Sequence, residues 1–177
     1  MRLRSLLVGA IAGVITFGLA LPASAAPGGD TTATVTVLGG ALSITVPPIA
    51  GNLGTRANTV TGGIISGALG QVVVSDARSS AAGSGWVASV ISTAFTPGAG
   101  LAIAASAVGY AAGPIAKVGT ATYTANNPAD LTAASAAVTA TGITGDNSAT
   151  WNPTINVAVA GGLAAGVYTA TITHSLT

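Results

Sequence analysis

The sequence predicts an all-β fold, an antiparallel β-sandwich of the Greek-key or immunoglobulin-like type. Three observations predict it. Val, Ile and Thr recur throughout the 177 residues, and β-branched residues favour strands. Short runs alternate apolar and hydroxyl-bearing residues, and Gly or Pro ends several of them. No regular exchange of strand and helix patterns indicates a βαβ fold. The chain has no cysteine, so burial and sheet hydrogen bonds must stabilise it without disulfides.

The first half of the chain contains three clear strand patterns. Val and Thr alternate over residues 34–37, and apolar and hydroxyl residues alternate over residues 42–46 until Pro47-Pro48. Residues 51–66 are expected to form a loop and a short strand, and residues 69–75 a β-branched strand.

The middle of the chain is less regular. Residues 79–85 predict a connection, and residues 86–96 a long strand in which a bulge changes the inward face. The Gly- and Ala-rich residues 102–110 fit a strand or a loop. Residues 131–140 fit a helix by alanine content or a strand by Ser and Thr content.

The end of the chain has the clearest alternation. Residues 150–159 and 168–176 both follow a period of two, and a Gly-rich stretch lies between them. This pattern predicts either a hairpin or a pair of strands that crosses between sheets. Trp151 shares the apolar face of the first run with Ile155 and Val157, so we expect it in the core.

Residues 1–25 have the pattern of a secretory signal peptide. Arg2 and Arg4 precede an apolar run, and small residues at A-x-A positions predict cleavage between Ala25 and Ala26. The alternative is an uncleaved membrane anchor, but the apolar run is short for a spanning helix. We expect a flexible arm at residues 26–31, a single domain at residues 32–177, and a secreted protein that leaves the membrane after cleavage.

The inventory of ionisable residues is too small for several classes of function. The chain has five Lys+Arg and four Asp+Glu, so a phosphate-binding surface for nucleic acid is not expected. It has one histidine, no cysteine and no Glu, and no G-x-S-x-G motif, so we expect no enzyme. The scattered Asp residues predict no metal site and no cofactor, and Asp146-Asn147 is expected in a turn.

Two features could serve either structure or binding. Trp86 could stack on a sugar at a sheet edge or anchor the core. Asp76 and Arg78 are expected to form an ion pair or a tie to the loop backbone, which either contacts a ligand or braces the loop at residues 79–85. The brace is favoured because an isolated exposed pair contributes only about 0–1 kcal/mol.

Three sequence blocks resemble one family. V-S-D-A-R at residues 74–78, G-W at residues 85–86 and Y-T-A-T-I-T at residues 168–173 are similar to the WxL domain of Gram-positive surface proteins, in its actinobacterial form. The resemblance spans residues 32–177. Two signatures depart from the family pattern, because the first reads W-V-A from Trp86 and the second reads H-S-L from His174 to Leu176.

The resemblance implies an all-β domain that attaches non-covalently to the cell wall, with peptidoglycan as ligand and, in some members, partner surface proteins. It makes Trp86, Asp76, Arg78, His174 and Leu176 the expected binding residues. The alternative is a structural or adhesive subunit that assembles through strand edges without a glycan ligand. A secreted hydrolase is a third hypothesis, which the residue inventory disfavours.

Overall fold

The computed structural model describes residues 31–79 and 83–177. The predicted signal peptide, its cleavage site and residues 26–30 of the predicted arm lie outside these ranges. Residues 31–36 are exposed and contain no strand. The compact unit begins at Val37. No helix within the described ranges is long and apolar enough to cross a lipid bilayer.

The described part of the compact unit contains eleven strands, and they confirm the predicted all-β antiparallel fold. The strands are β1 (Leu42–Thr45), β2 (Gly63–Ala68), β3 (Val72–Asp76), β4 (Ser84–Ser92), β5 (Thr96–Pro97), β6 (Val108–Ala111), β7 (Ile115–Ala125), β8 (Ser135–Trp151), β9 (Thr154–Val159), β10 (Tyr168–Thr169) and β11 (Ile172–Leu176). One 3-10 turn, Ala105–Ala107, precedes β6. Every strand pairing between them is antiparallel.

The larger sheet is organised around the 17-residue strand β8. β7 pairs with one side of β8. On the other side, β3 pairs with residues 147–151 and β4 with residues 135–143, so β3 and β4 lie end to end along β8. β1 pairs with β3 and β11 pairs with β4 on their far sides. β1 and β11 therefore form one outer row, and β7 forms the other.

The second sheet has the order β2-β9-β6, and it packs against the larger sheet around one core. The alternation of each strand places apolar side chains between the sheets. The buried side chains come from both sheets and include Val72, Val74, Ala88 and Val90 from β3 and β4, Val138, Ala140 and Ala149 from β8, Val108 and Tyr110 from β6, and Ile155 and Val157 from β9. Burial of these apolar surfaces is the main stabilising contribution.

The sequence patterns at both ends of the compact unit require corrections. Residues 34–37 form no strand, and Val35 and Val37 are 88% and 81% exposed. The place beyond β1 in the outer row is occupied by β11, whose extension pairs Thr177 with Val87. The single run at residues 150–159 is two strands in different sheets, β8 and β9. The predicted sheet-crossing pair is therefore correct for β9 and β11, and the hairpin alternative is wrong.

The middle of the chain also differs from its sequence pattern. Residues 131–140 lead into strand β8, which excludes the helix alternative, and Asp146-Asn147 lies inside that strand, so the predicted turn is wrong. β4 contains the predicted irregularity, with register shifts at Ser84/Trp86 and Ala88/Ser89. Within β4 the inward face does not change, because burial continues from Val90 to Ser92 while Ile91 is only half-buried; Phe95, beyond the end of the strand, is buried.

Candidate functional site

Asp76 and Arg78 lie at the joint where β3 ends and the chain leads to β4. The carboxylate of Asp76 accepts hydrogen bonds from Arg78 Nε to Oδ1 and from Arg78 Nη2 to Oδ2, both at 2.8 Å. The backbone N–H of Arg78 also donates to Oδ1, at 3.1 Å. This confirms the predicted ion pair. Since Asp76 is 1% exposed and Arg78 36% exposed, the pair is half inside the protein.

The same joint contains Trp86, Asn147 and Tyr123. Asn147 Oδ1 accepts hydrogen bonds from the Tyr123 hydroxyl at 2.9 Å and from Trp86 Nε1 at 3.5 Å. The rings of Trp86 and Tyr123 lie 5.7 Å apart between centroids, a distance typical of favourable aromatic pairs. Asp76 pairs with Asn147 across β3 and β8. We call Asp76, Arg78, Trp86, Tyr123 and Asn147 the joint cluster.

The joint cluster holds the ends of several strands together. Arg78 Nη2 donates to the carbonyl of Gly85 at 3.2 Å, across the connection between β3 and β4. The N–H and hydroxyl of Ser79 both donate to Asp146 Oδ1, each at 3.1 Å. The predicted brace of the loop is therefore present at its described ends. The hydrogen bonds from Arg78 lower the pKa of Asp76 below its usual value.

Trp86 belongs to the core, with 2% of its surface exposed. Its ring faces the space between the sheets, as do the other inward residues of β4, so the core interpretation holds and the sheet-edge interpretation does not. Contact of Asp76 or Trp86 with a wall ligand stays a prediction, and these two side chains offer almost no surface for it.

A second polar chain connects the two sheets and contains the histidine. Trp151 Nε1, at the end of β8, donates to the Tyr110 hydroxyl of β6 at 2.7 Å. That hydroxyl lies 3.1 Å from His174 Nε2 on β11. Trp151 is 2% exposed, as predicted. We call Trp151, Tyr110 and His174 the inter-sheet chain.

Burial sets the protonation of the inter-sheet chain. It raises the pKa of Tyr110 to about 12 and lowers the pKa of His174, so both groups are neutral near pH 7. Because the Tyr110 hydroxyl accepts from Trp151, its own proton is available to His174 Nε2. That direction requires the imidazole proton on Nδ1, and Nδ1 is a buried atom without a hydrogen-bond partner within the described ranges.

Within the described ranges, the polar contacts of His174 are limited to the inter-sheet chain. His174 Nε2 faces a tyrosine, and no Ser or Asp is hydrogen-bonded to the ring within the described ranges. No cluster of three metal-binding side chains occurs there either. Leu176, the other predicted binding residue of β11, lies opposite Ala88 and is half-buried on the inner face. The predicted site residues therefore divide into Asp76, Arg78 and Trp86 at the joint, and His174 and Leu176 on β11.

An open cavity lies elsewhere, between residues that the sequence analysis assigned partly to loops and partly to the ends of predicted strands. We call it the side cleft. It has a volume of about 770 Å³, its two walls are residues 47–59 and 163–172, and Phe95, Ile103 and Val157 contribute to its apolar lining. Its size is within the range of ligand sites, about 300–1,000 Å³.

Two glycines on β2 let the first wall of the side cleft pack closely. A side chain at Gly67 would collide with the backbone of Leu53, and one at Gly63 would collide with the guanidinium of Arg56. The wall is held further by Arg56 Nη2, which donates to the carbonyl of Gly62 at 2.8 Å, and by Asn58 Nδ2, which donates to the carbonyl of Leu163 at 2.5 Å. The second bond joins the two walls directly.

The side cleft combines apolar surface with a few polar groups. Among the described residues, Arg56 is the one charged residue in its lining, and Asn52, Asn58 and Thr59 add amide and hydroxyl groups on the same wall. Tyr168 supplies an aromatic ring on the opposite wall, with its hydroxyl donating to the carbonyl of Ala164 at 2.9 Å. The first wall lacks regular alternation and the second combines a Gly-rich stretch with the start of an alternating run, and neither pattern identifies a cavity.

Comparisons with known proteins leave the resemblance to the WxL domain as a prediction. Neither a scan against protein-family models nor searches of curated proteins and of solved structures found a match.

Proposed function

We propose that this chain is an exported cell-surface protein that binds the cell wall non-covalently, without catalysis, and that peptidoglycan is its ligand. The observation that carries the proposal is the side cleft, an open cavity of about 770 Å³ with mixed apolar and polar lining. Ligand sites typically combine such apolar surface with a few placed polar groups.

The lining suits a glycopeptide polymer. Wall glycopeptides present sugar hydroxyls, N-acetyl groups and carboxylates. The amide and hydroxyl groups of Asn52, Asn58 and Thr59 match the first two, and the guanidinium of Arg56 matches a carboxylate. The Tyr168 ring offers an apolar face for a sugar ring or a methyl group.

The absence of catalysis is part of the same proposal. The single histidine is engaged with Tyr110 between the sheets and does not line the side cleft. A binding module needs only shape and a few donors. The leader predicted at residues 1–25 and the resemblance to the WxL domain support a location at the wall, where some relatives of that type work with partner surface proteins.

A wall-pelleting assay tests this function. The purified protein is incubated with isolated Gram-positive cell walls, the walls are sedimented, and the bound fraction is measured over a concentration series. Arg56→Gln should weaken binding about tenfold, the equivalent of 1.4 kcal/mol for one charge-assisted hydrogen bond. Arg56→Lys keeps the charge and should recover part of the loss.

Lys117→Gln is the matched control, because it also removes one positive charge but from the exposed face of β7, outside the cleft. Binding should remain unchanged in this variant, and the walls should release no soluble sugar or peptide. The proposal is wrong if the unmodified protein does not sediment with walls, or if both Gln variants lose binding equally.

A further inference from the structure

Strand β11 is an edge of the larger sheet with unpaired backbone groups. Thr177 and Val87 exchange hydrogen bonds of 3.0 and 2.8 Å, which fixes the pattern that continues along β11. Because bonded and outward-facing positions alternate in an antiparallel strand, the N–H and C=O groups of Ile172, His174 and Leu176 point away from β4. No strand pairs with this side of β11 within residues 31–79 and 83–177.

This edge lacks the usual protection against another strand. Natural edges carry Lys, Pro or bulges that prevent pairing. The opposite edge, β7, has them: it contains Lys117, a bulge-like Gly119 with φ of 87°, and two register shifts. β11 reads I-T-H-S-L, with no Lys, Pro or glycine and an unbroken register with β4.

The chain also contains a segment with strand character that pairs with no strand in the described part of the structure. Residues 32–38 read T-A-T-V-T-V-L and form no strand. Val35, Val37 and Leu38 are 88%, 81% and 85% exposed, although β-branched residues in alternation favour a sheet. In the outer row of the larger sheet, the place beyond β1 is filled by β11.

The segment and the edge match in pattern and in charge. β11 places half-buried Ile172, His174 and Leu176 on its inner face and exposed Thr173 and Ser175 on its outer face. A strand at residues 32–38 would add Val35 and Val37 to the apolar face, and Thr34 and Thr36 to the hydroxyl face. Cross-strand pairs of these types are favourable, and neither strand carries a charge that would oppose pairing.

We propose that residues 32–38 of one molecule add as a strand to the β11 edge of a second copy, so that the protein assembles head to tail. We call residues 32–38 the donor segment and the free side of β11 the acceptor edge; they are different surfaces of the same chain. Such a heterologous contact does not close on itself and extends into chains unless the rotation forms a ring. Backbone hydrogen bonds would supply affinity, as in other cases of strand addition.

Sedimentation velocity over a concentration series tests the assembly. The purified protein should form dimers and larger species as its concentration rises. Val35→Asp places a charge on the apolar face of the donor and should leave only monomer at the same concentrations. Val60→Asp is the matched control, because Val60 is 96% exposed outside the donor segment, and it should assemble as the unmodified protein does.

A mixing experiment tests the direction of the contact. Leu176→Pro removes one outward N–H of the acceptor edge while leaving the bonded positions facing β4. Val35→Asp and Leu176→Pro should each be monomeric alone, and their mixture should form dimers and stop there. The proposal is overturned if the unmodified protein is monomeric throughout, if Val35→Asp assembles normally, or if Val60→Asp is equally impaired. A mixture that stays monomeric also overturns it.

Discussion

The joint cluster and the inter-sheet chain are both polar groups among buried aromatic rings, yet they are satisfied in different ways. In the joint cluster, Asp76 receives three hydrogen bonds from Arg78, and Asn147 Oδ1 receives two from different rings. In the inter-sheet chain, Trp151 Nε1 has the single acceptor Tyr110, and His174 Nδ1 has no partner within the described ranges.

The difference separates two ways of placing polar groups in a core. A buried carboxylate is tolerated only with several hydrogen-bond donors. The Asp76–Arg78 pair and its polar neighbours are therefore concentrated at one joint. Neutral groups can be buried with a single partner each, at the cost of less redundancy. Equivalent substitutions in the two places should therefore have unequal effects.

The largest effect is expected from Arg78→Met. It leaves the carboxylate of Asp76, which is 1% exposed, with the backbone N–H of Arg78 as its main donor. Removing one partner of a buried pair costs about 3–5 kcal/mol. Urea unfolding at pH 7 measures the loss.

Asp76→Asn should cost less than Arg78→Met, because the freed Arg78 side chain is 36% exposed and can turn towards water. Lys117→Met, on the exposed face of β7, is the control for loss of a cation and should change the unfolding free energy by less than about 0.5 kcal/mol. An Asp76→Asn loss equal to or greater than that of Arg78→Met would contradict the assignment of Asp76 as the desolvated partner.

A smaller effect is expected from Tyr110→Phe, with Tyr123→Phe as its counterpart in the joint cluster. Tyr110→Phe leaves Trp151 Nε1 without its acceptor, which costs about 1–3 kcal/mol. Tyr123→Phe should cost about 0.5–1 kcal/mol, because Asn147 Oδ1 keeps its bond from Trp86. Equal losses in thermal or urea unfolding would show that redundancy does not distinguish the two clusters.

The fold class was predictable from sequence because alternation is a local property. β1 and β11 follow their patterns closely, and Pro47-Pro48 follows the end of β1 as expected. Residues 34–37 have an equally good pattern and form no strand, whereas β11 pairs with β4 in the same outer row as β1. Local pattern therefore predicts strand propensity, while the competition for places in the sheet is decided by the whole chain.

The long strand β8 was harder to predict. It contains Gly142 and Gly145 with φ of 63° and 68° and the pair Asp146-Asn147, all of which are typical of turns. Pairing along both sides with β3, β4 and β7 compensates for these residues.

In the candidate sites, contacts between residues close in sequence were predictable and contacts between residues far apart in sequence were not. The Asp76–Arg78 pair was predictable because the residues are two apart. Its partners Asn147 and Tyr123 were not, since they reach the joint through β8 and β7. The side cleft depends on residues more than 100 positions apart, such as Asn58 and Leu163, and no local pattern marks it.

The smallest effect concerns pH and isolates the inter-sheet chain. Burial lowers the pKa of His174, so below about pH 6.5, its ordinary value, the unfolded state takes up a proton before the folded state does. Stability is then fully present above pH 6.5 and falls as the pH decreases towards the folded pKa, with a slope of at most about 1.4 kcal/mol per pH unit. The unfolding free energy should therefore fall between pH 7 and pH 5.5.

This window reports a single side chain. The chain has one His and no Glu, and His is the side chain whose ordinary pKa lies in this range. Unfolding free energies measured at pH 7, 6.5, 6 and 5.5 should slope downward in the unmodified protein and be flat in His174→Gln. His174→Gln shifts the whole curve by a constant, because it also removes the partner of Tyr110, so the slope and not the offset is the observable. A slope that persists in His174→Gln would place the titrating group outside the inter-sheet chain, and a flat curve in the unmodified protein would mean that His174 is as well solvated folded as unfolded.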